Sequence, residues 1–188
     1  MRYIYYLLGT IFIICGIYIA GIYLDLYGEL EEPGFSVNSE LPKSLVEKKQ
    51  ISQKPFGRNK QILFGDTHVH TTYSTDAFLW SLPILNGEGP HPIADACDFA
   101  RFCANLDFWV STDHAEALTP RKWKSIKEAV RNCNSPTDAK DPDLVTFLGY
   151  EWTQVGNTAD THYGHKNVMF LDIEEGKVPE RAIGAGGL

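Results

Sequence analysis

A run of 22 residues without a charged side chain, Tyr3 to Leu24, most restricts how this chain can fold. As an α-helix it would be roughly 33 Å long, which is enough to cross the hydrocarbon core of a bilayer. The run is longer than the apolar part of a usual signal peptide, and no clear small-residue cleavage site follows it. We therefore expect an uncleaved transmembrane anchor over residues 1–24, with a cleaved signal peptide as the alternative.

The charges beside this run predict its orientation. Arg2 and the terminal amine precede it, and four acidic residues follow it at positions 25, 29, 31 and 32. The positive-inside rule places the amino terminus in the cytoplasm and the rest of the chain outside. In a bacterium this describes a single-pass inner-membrane protein whose later residues are periplasmic.

Beyond the anchor, the chain divides by composition into two parts. Residues 25–60 are polar, contain three prolines and show no sustained apolar period, so we predict a tether with a short helix near Leu45 to Gln50. Residues 61–188 hold all six histidines. The net charge of −7 argues against nonspecific nucleic-acid binding, because an acidic protein does not attract phosphate backbones.

The second part alternates between strand and helix patterns. Thr119 and Pro120 are typical of a helix start, which makes the helix after them the strongest prediction. The alternation predicts an α/β fold with a parallel sheet, and the last connection is short enough to be a hairpin or irregular. The predicted strands cover 61–66, 107–114, 144–152 and 166–171, and the predicted helices cover 91–106 and 119–133.

Polar side chains gather where these strands end. The carboxyl ends of parallel strands are where α/β folds build their sites, so we expect the side chains to converge. They are, in chain order, Asp66, His68 and His70 after the first strand, Asp113 and His114 at the end of the second, Glu151 at the end of the third, and His165 at the start of the fourth.

The residue types in this set favour metal binding. His68 and His70 are two apart, so on an extended segment they project to the same face and can reach one ion. Exposed loop histidines are the alternative for this pair alone. Asp76 and His114 add further ligands, and Glu151 adds a carboxylate that can bridge two ions. Mixed imidazole and carboxylate ligands suit Zn, Mn or Fe better than Ca or Mg.

The segments "DTHVHTTYSTDA", "STDHAE", "GYEWT" and "GHKNV" resemble the polymerase and histidinol phosphatase superfamily of metal-dependent phosphoesterases. More closely, they resemble an uncharacterised bacterial branch known as a domain of unknown function. The resemblance covers about residues 61 to 172 and implies a distorted (βα)7 barrel with two or three ions. It implies one ion on His68 and His70, a second on Asp76 and His114, Glu151 as the bridge, and His165 at a third position.

The chain departs from that superfamily after His165. The superfamily completes its site with a later His or Cys and a terminal Asp-x-His pair, and no histidine follows His165 here. A barrel also takes about 250 residues, whereas four strands are visible. We therefore expect residues 61–188 to be the N-terminal portion of a hydrolase barrel, which by itself need not be active.

The predicted function is hydrolysis of a small phosphate or related ester by a hydroxide that the metals generate. Glu151 and Asp113 receive the catalytic roles, Glu151 as the bridge and Asp113 as the group that orients a histidine or the water. The alternative for Asp113 is a carboxylate that caps the following turn. Two other functions stay open: an amidohydrolase-like metal hydrolase, which a GxE motif in place of a bridging lysine disfavours, and a metal-binding domain without activity.

Three cysteines follow the anchor, and disulfides persist outside the cytoplasm. Cys103 and Cys133 stand at the ends of the two predicted helices, so we prefer a Cys103–Cys133 bridge with Cys97 as a buried thiol. Three free cysteines are the alternative. His91 and His162 are expected to lie outside the metal site.

Overall fold

The computed structural model describes residues 2–23, 34–54, 60–82, 87, 91–135 and 142–185. Its first compact unit, Met1–Glu31, holds helix α1 (Arg2–Tyr23). This helix is long and apolar enough to cross a membrane, as an anchor or a signal sequence would be. Met1 and Leu24 of the predicted anchor, and residues 25–33 and 55–59 of the predicted tether, lie outside the described residues.

The second unit, Glu32–Leu188, is a mixed α/β structure built on a four-stranded sheet of order β1-β2-β3-β4. The first three strands are parallel, and β4 returns antiparallel to β3, which the short connection between them allows. Its elements are α2 (Lys43–Ser52), β1 (Gly65–Val69), α3 (Thr75–Ser81), α4 (Ile93–Asp98) continued by a π-helical turn (Phe99–Cys103), β2 (Phe108–Ser111), a 3-10 turn (Ala115–Ala117), α5 (Pro120–Asn134), β3 (Val145–Gln154) and β4 (Gly164–Phe170).

The sheet is curled into a half-barrel. The side-chain amide of Asn167 on β4 donates to the carbonyl oxygen of Thr67 on β1 at 2.8 Å, although these strands are the two edges of the sheet. Neighbouring strands lie about 4.8 Å apart, so a flat sheet would separate its edges by about 14 Å. The curl therefore brings β1 and β4 close together, on the side of the sheet where the polar residues of the strands also lie.

Strand β1 differs from its prediction. The sequence predicts a buried strand over residues 61–66, but β1 begins at Gly65, extends to Val69 and is mostly exposed. The apolar residues before it, Ile62, Leu63 and Phe64, are about half exposed. The reason is position: β1 is an edge strand that pairs with β2 alone. His68 consequently lies within the strand rather than after it.

Helix α5 forms as its sequence predicts and packs on β3. The Thr119 side chain accepts a hydrogen bond from the Lys122 backbone N–H, and Pro120 occupies the first turn, where its missing N–H costs nothing. Its buried face includes Trp123 and Ile126, both fully buried. The indole ring of Trp123 meets the phenol ring of Tyr150 on β3 edge-on, with 5.8 Å between ring centroids.

The disulfide joins Cys97 to Cys133, with Cα atoms 6.0 Å apart, so the preferred Cys103–Cys133 bridge is wrong. Cys103 is an exposed free thiol. Residues six apart on a helix lie about 120° apart around its axis, so Cys97 and Cys103 cannot both face α5. Cys97 lies on the buried side with Ala100 and Trp109, and the direction of the side chain, rather than the end of the helix, decides the partner.

The described part of the predicted tether belongs to the second unit, where α2 contacts the segments that precede β2 and β3. Lys49 on α2 is buried, and its ammonium group donates to the carbonyl oxygens of Leu106, at 2.7 Å, and Asp143. The same ammonium lies 3.4 Å from Asp107 Oδ1. These contacts attach α2 near the amino ends of β2 and β3, opposite the polar strand ends.

Candidate metal centre

In the part of the chain that the structure describes, six side chains of the metal-ligating type converge, and they are the six that the sequence predicts as ligands. They form three overlapping groups, and in each group the donor atoms lie within 4.8 Å of one another. The groups are His68, His70 and Glu151; His70, Asp76 and His114; and His114, Glu151 and His165.

Glu151 on β3 lies at the centre of this cluster and is 1% exposed. Its Oε2 is 2.8 Å from His70 Nε2, 3.7 Å from His68 Nε2 and 3.4 Å from His114 Nδ1. Its Oε1 is 2.5 Å from His165 Nδ1. The two oxygens of one buried carboxylate therefore face different histidines, which is the arrangement a bridging ligand requires.

Two buried atoms at this centre have no hydrogen-bond partner in the described part of the chain: His70 Nε2 and Glu151 Oε2. They approach to 2.8 Å, but without the alignment of a hydrogen bond. A buried polar atom left unpaired costs roughly 1–3 kcal/mol. An imidazole nitrogen and a carboxylate oxygen are also typical ligands of a divalent ion. The residues present therefore fit a metal ion, which would satisfy both atoms.

Asp76 comes from the first turn of α3 and closes the second group. Its Oδ2 is 3.3 Å from His70 Nδ1 and 3.4 Å from His114 Nε2, and its Oδ1 accepts from the Ala77 backbone N–H at 2.8 Å. Burial raises the pKa of Asp76, but the Ala77 N–H and the nearby charges of His70 and His114 outweigh burial, so the pKa lies below its usual value. The carboxylate is thus available in its ionised, ligating form.

Asp113 is fully buried, and it fixes the loop between β1 and α3 through three hydrogen bonds. Its Oδ1 accepts from the Thr71 backbone N–H at 2.7 Å and from the Ser74 hydroxyl at 2.9 Å, and its Oδ2 accepts from the Thr71 hydroxyl at 2.9 Å. Burial raises the pKa of this carboxyl, and the three hydrogen bonds oppose that effect. These bonds run to the loop between β1 and α3, not to the turn after Asp113 that the capping alternative names.

Two polar residues that were not among the predicted ligands also contact the cluster. The Thr153 hydroxyl lies 3.0 Å from His114 Nδ1 and 3.2 Å from His165 Nδ1. The Asn167 amide nitrogen lies 3.0 Å from His68 Nδ1. Each follows a predicted ligand by two positions on the same strand, Thr153 after Glu151 and Asn167 after His165. Strand alternation alone would have placed both on the ligand face.

Three other candidates lie outside the three groups: the two histidines that were expected there, and Asp66, which was expected to converge with the ligands. His91 pairs with Asp95, with 3.1 Å between Nδ1 and Oδ2, and His162 Nδ1 lies 3.2 Å from the Gly156 carbonyl oxygen. Asp66 Oδ1 accepts from the His68 backbone N–H at 2.9 Å, so this carboxylate supports the strand that carries His68.

Comparison with known proteins gives one match. Residues 57–121 match the family model described as "Protein of unknown function (DUF3604)". The matched segment is about a third of the chain and includes His68, His70, Asp76 and His114, whereas Glu151 and His165 lie beyond it. No curated protein and no solved structure matches the chain. The match confirms the resemblance to a domain of unknown function over those residues.

Proposed function

We propose that this protein is a membrane-anchored, metal-dependent hydrolase of small phosphate or related esters. The observation that carries the proposal is the buried Glu151 carboxylate, whose two oxygens face different histidines of one cluster. Zn, Mn or Fe suits the mixed imidazole and carboxylate set. The proposed ligands are His68, His70, Asp76, His114, Glu151 and His165.

Each part of the cluster has a role in this proposal. When bound, divalent ions at such a site supply Lewis acidity, which lowers the pKa of a water molecule and neutralises charge on ester oxygens. Glu151 directs Oε2 toward His70 and Oε1 toward His165, so its two oxygens serve different groups of ligands. His70 is the least exposed imidazole, at 13%, and forms the floor of the site. Asp113 fixes the loop that carries His70 and Asp76 and acts as a positioning residue.

The exposure of the ligands supports an open side for substrate. The side chains of His68 and His165 are each 53% exposed, and that of Asp76 is 48% exposed. Glu151, by contrast, is 2% exposed at its side chain. A small ester can therefore approach the cluster from the side of the exposed ligands while the bridging carboxylate stays shielded from water.

The proposal places the cluster outside the cytoplasm. The apolar helix α1 supports an anchor, and the charges that flank it support translocation of the residues after it. The Cys97–Cys133 disulfide supports the same side, because structural disulfides are formed and kept in oxidising compartments. We propose a single-pass protein of the inner membrane with the metal centre in the periplasm or its equivalent.

The proposal also includes a complete barrel of which the half-barrel sheet is one part. A half-barrel sheet whose ligands stand at the carboxyl ends of its parallel strands supports a place within a distorted (βα)7 barrel, as the superfamily resemblance implies. The apolar residues before β1, at half exposure, fit a surface that further strands would cover in such a barrel.

A substrate panel tests the activity. The full chain would be purified in detergent, loaded with Zn or Mn, and assayed on aryl phosphate monoesters, diesters and phosphonate esters beside amides and lactones. We expect ester hydrolysis by the parent and by His162→Gln, a control histidine outside the site, and a loss of at least about 100-fold in Glu151→Gln. Hydrolysis of amides or lactones alone would favour the amidohydrolase alternative. No turnover by a fully loaded chain would overturn the proposal that this chain is active by itself.

A further inference from the structure

The Thr153 hydroxyl occupies a position between two imidazoles of the cluster. It lies 3.0 Å from His114 Nδ1 and 3.2 Å from His165 Nδ1. The register of β3 and β4 pairs Thr153 directly with His165, and Glu151 with Asn167, so all four side chains share one face of the sheet. The position of Thr153 on β3 therefore places its side chain on the same face as the proposed ligands.

His165 is the second imidazole beside this hydroxyl, and a carboxylate oxygen lies nearer to it. Its Nδ1 is 2.5 Å from Glu151 Oε1 and 3.2 Å from the Thr153 hydroxyl. A hydroxyl oxygen has two lone pairs besides its O–H. Thr153 can therefore accept a hydrogen bond from His114 whatever its contact with His165.

His114 has two environments, one at each ring nitrogen. Its Nδ1 faces the Thr153 hydroxyl and, at 3.4 Å, Glu151 Oε2. Its Nε2 faces Asp76 Oδ2 at 3.4 Å, within the group that also contains His70. His114 can thus belong to the group of His70 and Asp76 through Nε2, or to the group of Glu151 and His165 through Nδ1. Which nitrogen carries the proton decides between the two groups.

We infer that Thr153 is a positioning residue that accepts a hydrogen bond from His114 Nδ1–H and so commits Nε2 of His114 to a metal ion held with His70 and Asp76. A metal-ligating histidine commonly donates its other N–H to an oxygen that fixes its tautomer and ring orientation. The Thr153 hydroxyl, at 3.0 Å, is nearer to His114 Nδ1 than Glu151 Oε2 is, at 3.4 Å. This inference rests on the proposed metal centre, and it excludes His114 from the group of Glu151 and His165.

Three variants isolate the hydroxyl. Thr153→Val removes it and keeps the β-branched shape, while Thr153→Ser keeps it. Thr146→Val makes the same change at the other end of β3, where the hydroxyl contacts Cys133 Sγ. With ¹⁵N-labelled histidine in the metal-free full chain, the His114 nitrogens can be assigned among six histidines by comparison with His114→Gln. Spectra would be recorded near pH 8.5, about two units above the ordinary imidazole pKa.

We expect the Nδ1–H tautomer of His114 in the parent, Thr153→Ser and Thr146→Val, and a rise of the Nε2–H tautomer in Thr153→Val. Zinc affinity, measured by chelator competition, should fall about 10- to 100-fold in Thr153→Val alone. An unchanged His114 tautomer in Thr153→Val would overturn the inference, even if the parent binds zinc and hydrolyses esters. If the parent binds no metal, the proposed function fails, and the metal-free spectra still decide the tautomer.

Discussion

At the scale of single residues, Asp113 shows how one buried carboxylate fixes the loop between β1 and α3. Three donors from Thr71 and Ser74 surround it, and the Ser74 hydroxyl in turn accepts from the His114 backbone N–H at 2.9 Å. The loop after β1 and the end of β2 are therefore joined through one side chain. A change in the hydrogen-bonding capacity of Asp113 should therefore lower stability and disturb both of these segments.

Asp113→Asn is expected to destabilise the protein by about 1–3 kcal/mol, because one acceptor oxygen becomes an NH₂ group facing buried donors. Urea denaturation of the full chain in detergent, followed by tryptophan fluorescence, measures the change in the free energy of unfolding. Asp95→Asn is the matched control, since the Asp95 side chain is 51% exposed and should change little. Equal stability of the two variants would contradict the role given to Asp113.

At the scale of elements, the disulfide connects α4 to α5 across a sequence separation of 36. A chain-entropy estimate for a loop of this length gives about 4 kcal/mol of stabilisation. We expect the double variant Cys97→Ala with Cys133→Ala, and the parent under reducing conditions, to lose stability of this order. Cys103→Ala should not, because that thiol is exposed and free.

Peptide mapping by mass spectrometry without reductant gives the direct check on this element. It should recover a Cys97–Cys133 pair from the parent and from Cys103→Ala. A peptide pair that joins Cys103 to Cys133 would instead show that the sequence-based pairing was right.

Local signals account for the elements that the sequence predicts well. Thr119 and Pro120 predict the start of α5 because capping depends on adjacent residues alone, and α5 begins at Pro120. The sequence predicts strand β3 over 144–152, and the strand covers Val145–Gln154. The bounds of β1 could not be predicted in this way. Its apolar residues 62–64 have the composition of a buried strand, but their burial depends on neighbours that an edge strand lacks.

At the scale of the whole molecule, the curl of the sheet decides which residues meet. The candidate ligands could be predicted in part, because the carboxyl ends of parallel strands lie on the same edge of a sheet. The bond from Asn167 to Thr67 could not, because it joins the two edges and exists only when the sheet is strongly curled. The contacts of Lys49 with Leu106 and Asp107 could not be predicted for a similar reason, since they depend on how a polar helix docks on the sheet.

The central claim is that the six convergent side chains bind metal ions. Elemental analysis by mass spectrometry would be applied to the full chain in detergent after Zn or Mn loading and removal of free ions. The parent and the control His91→Gln should retain about two ions per chain, as expected for a two-metal site. Glu151→Gln should lose most of this content because it removes the bridging carboxylate.

Circular dichroism and recovery of the Cys97–Cys133 peptide would establish that Glu151→Gln is folded. Retention of about two ions by the parent and His91→Gln, together with their loss from a folded Glu151→Gln, is the result that a metal centre bridged by Glu151 predicts. Absence of bound metal in the parent, or equal metal content in the parent and a folded Glu151→Gln, would contradict it.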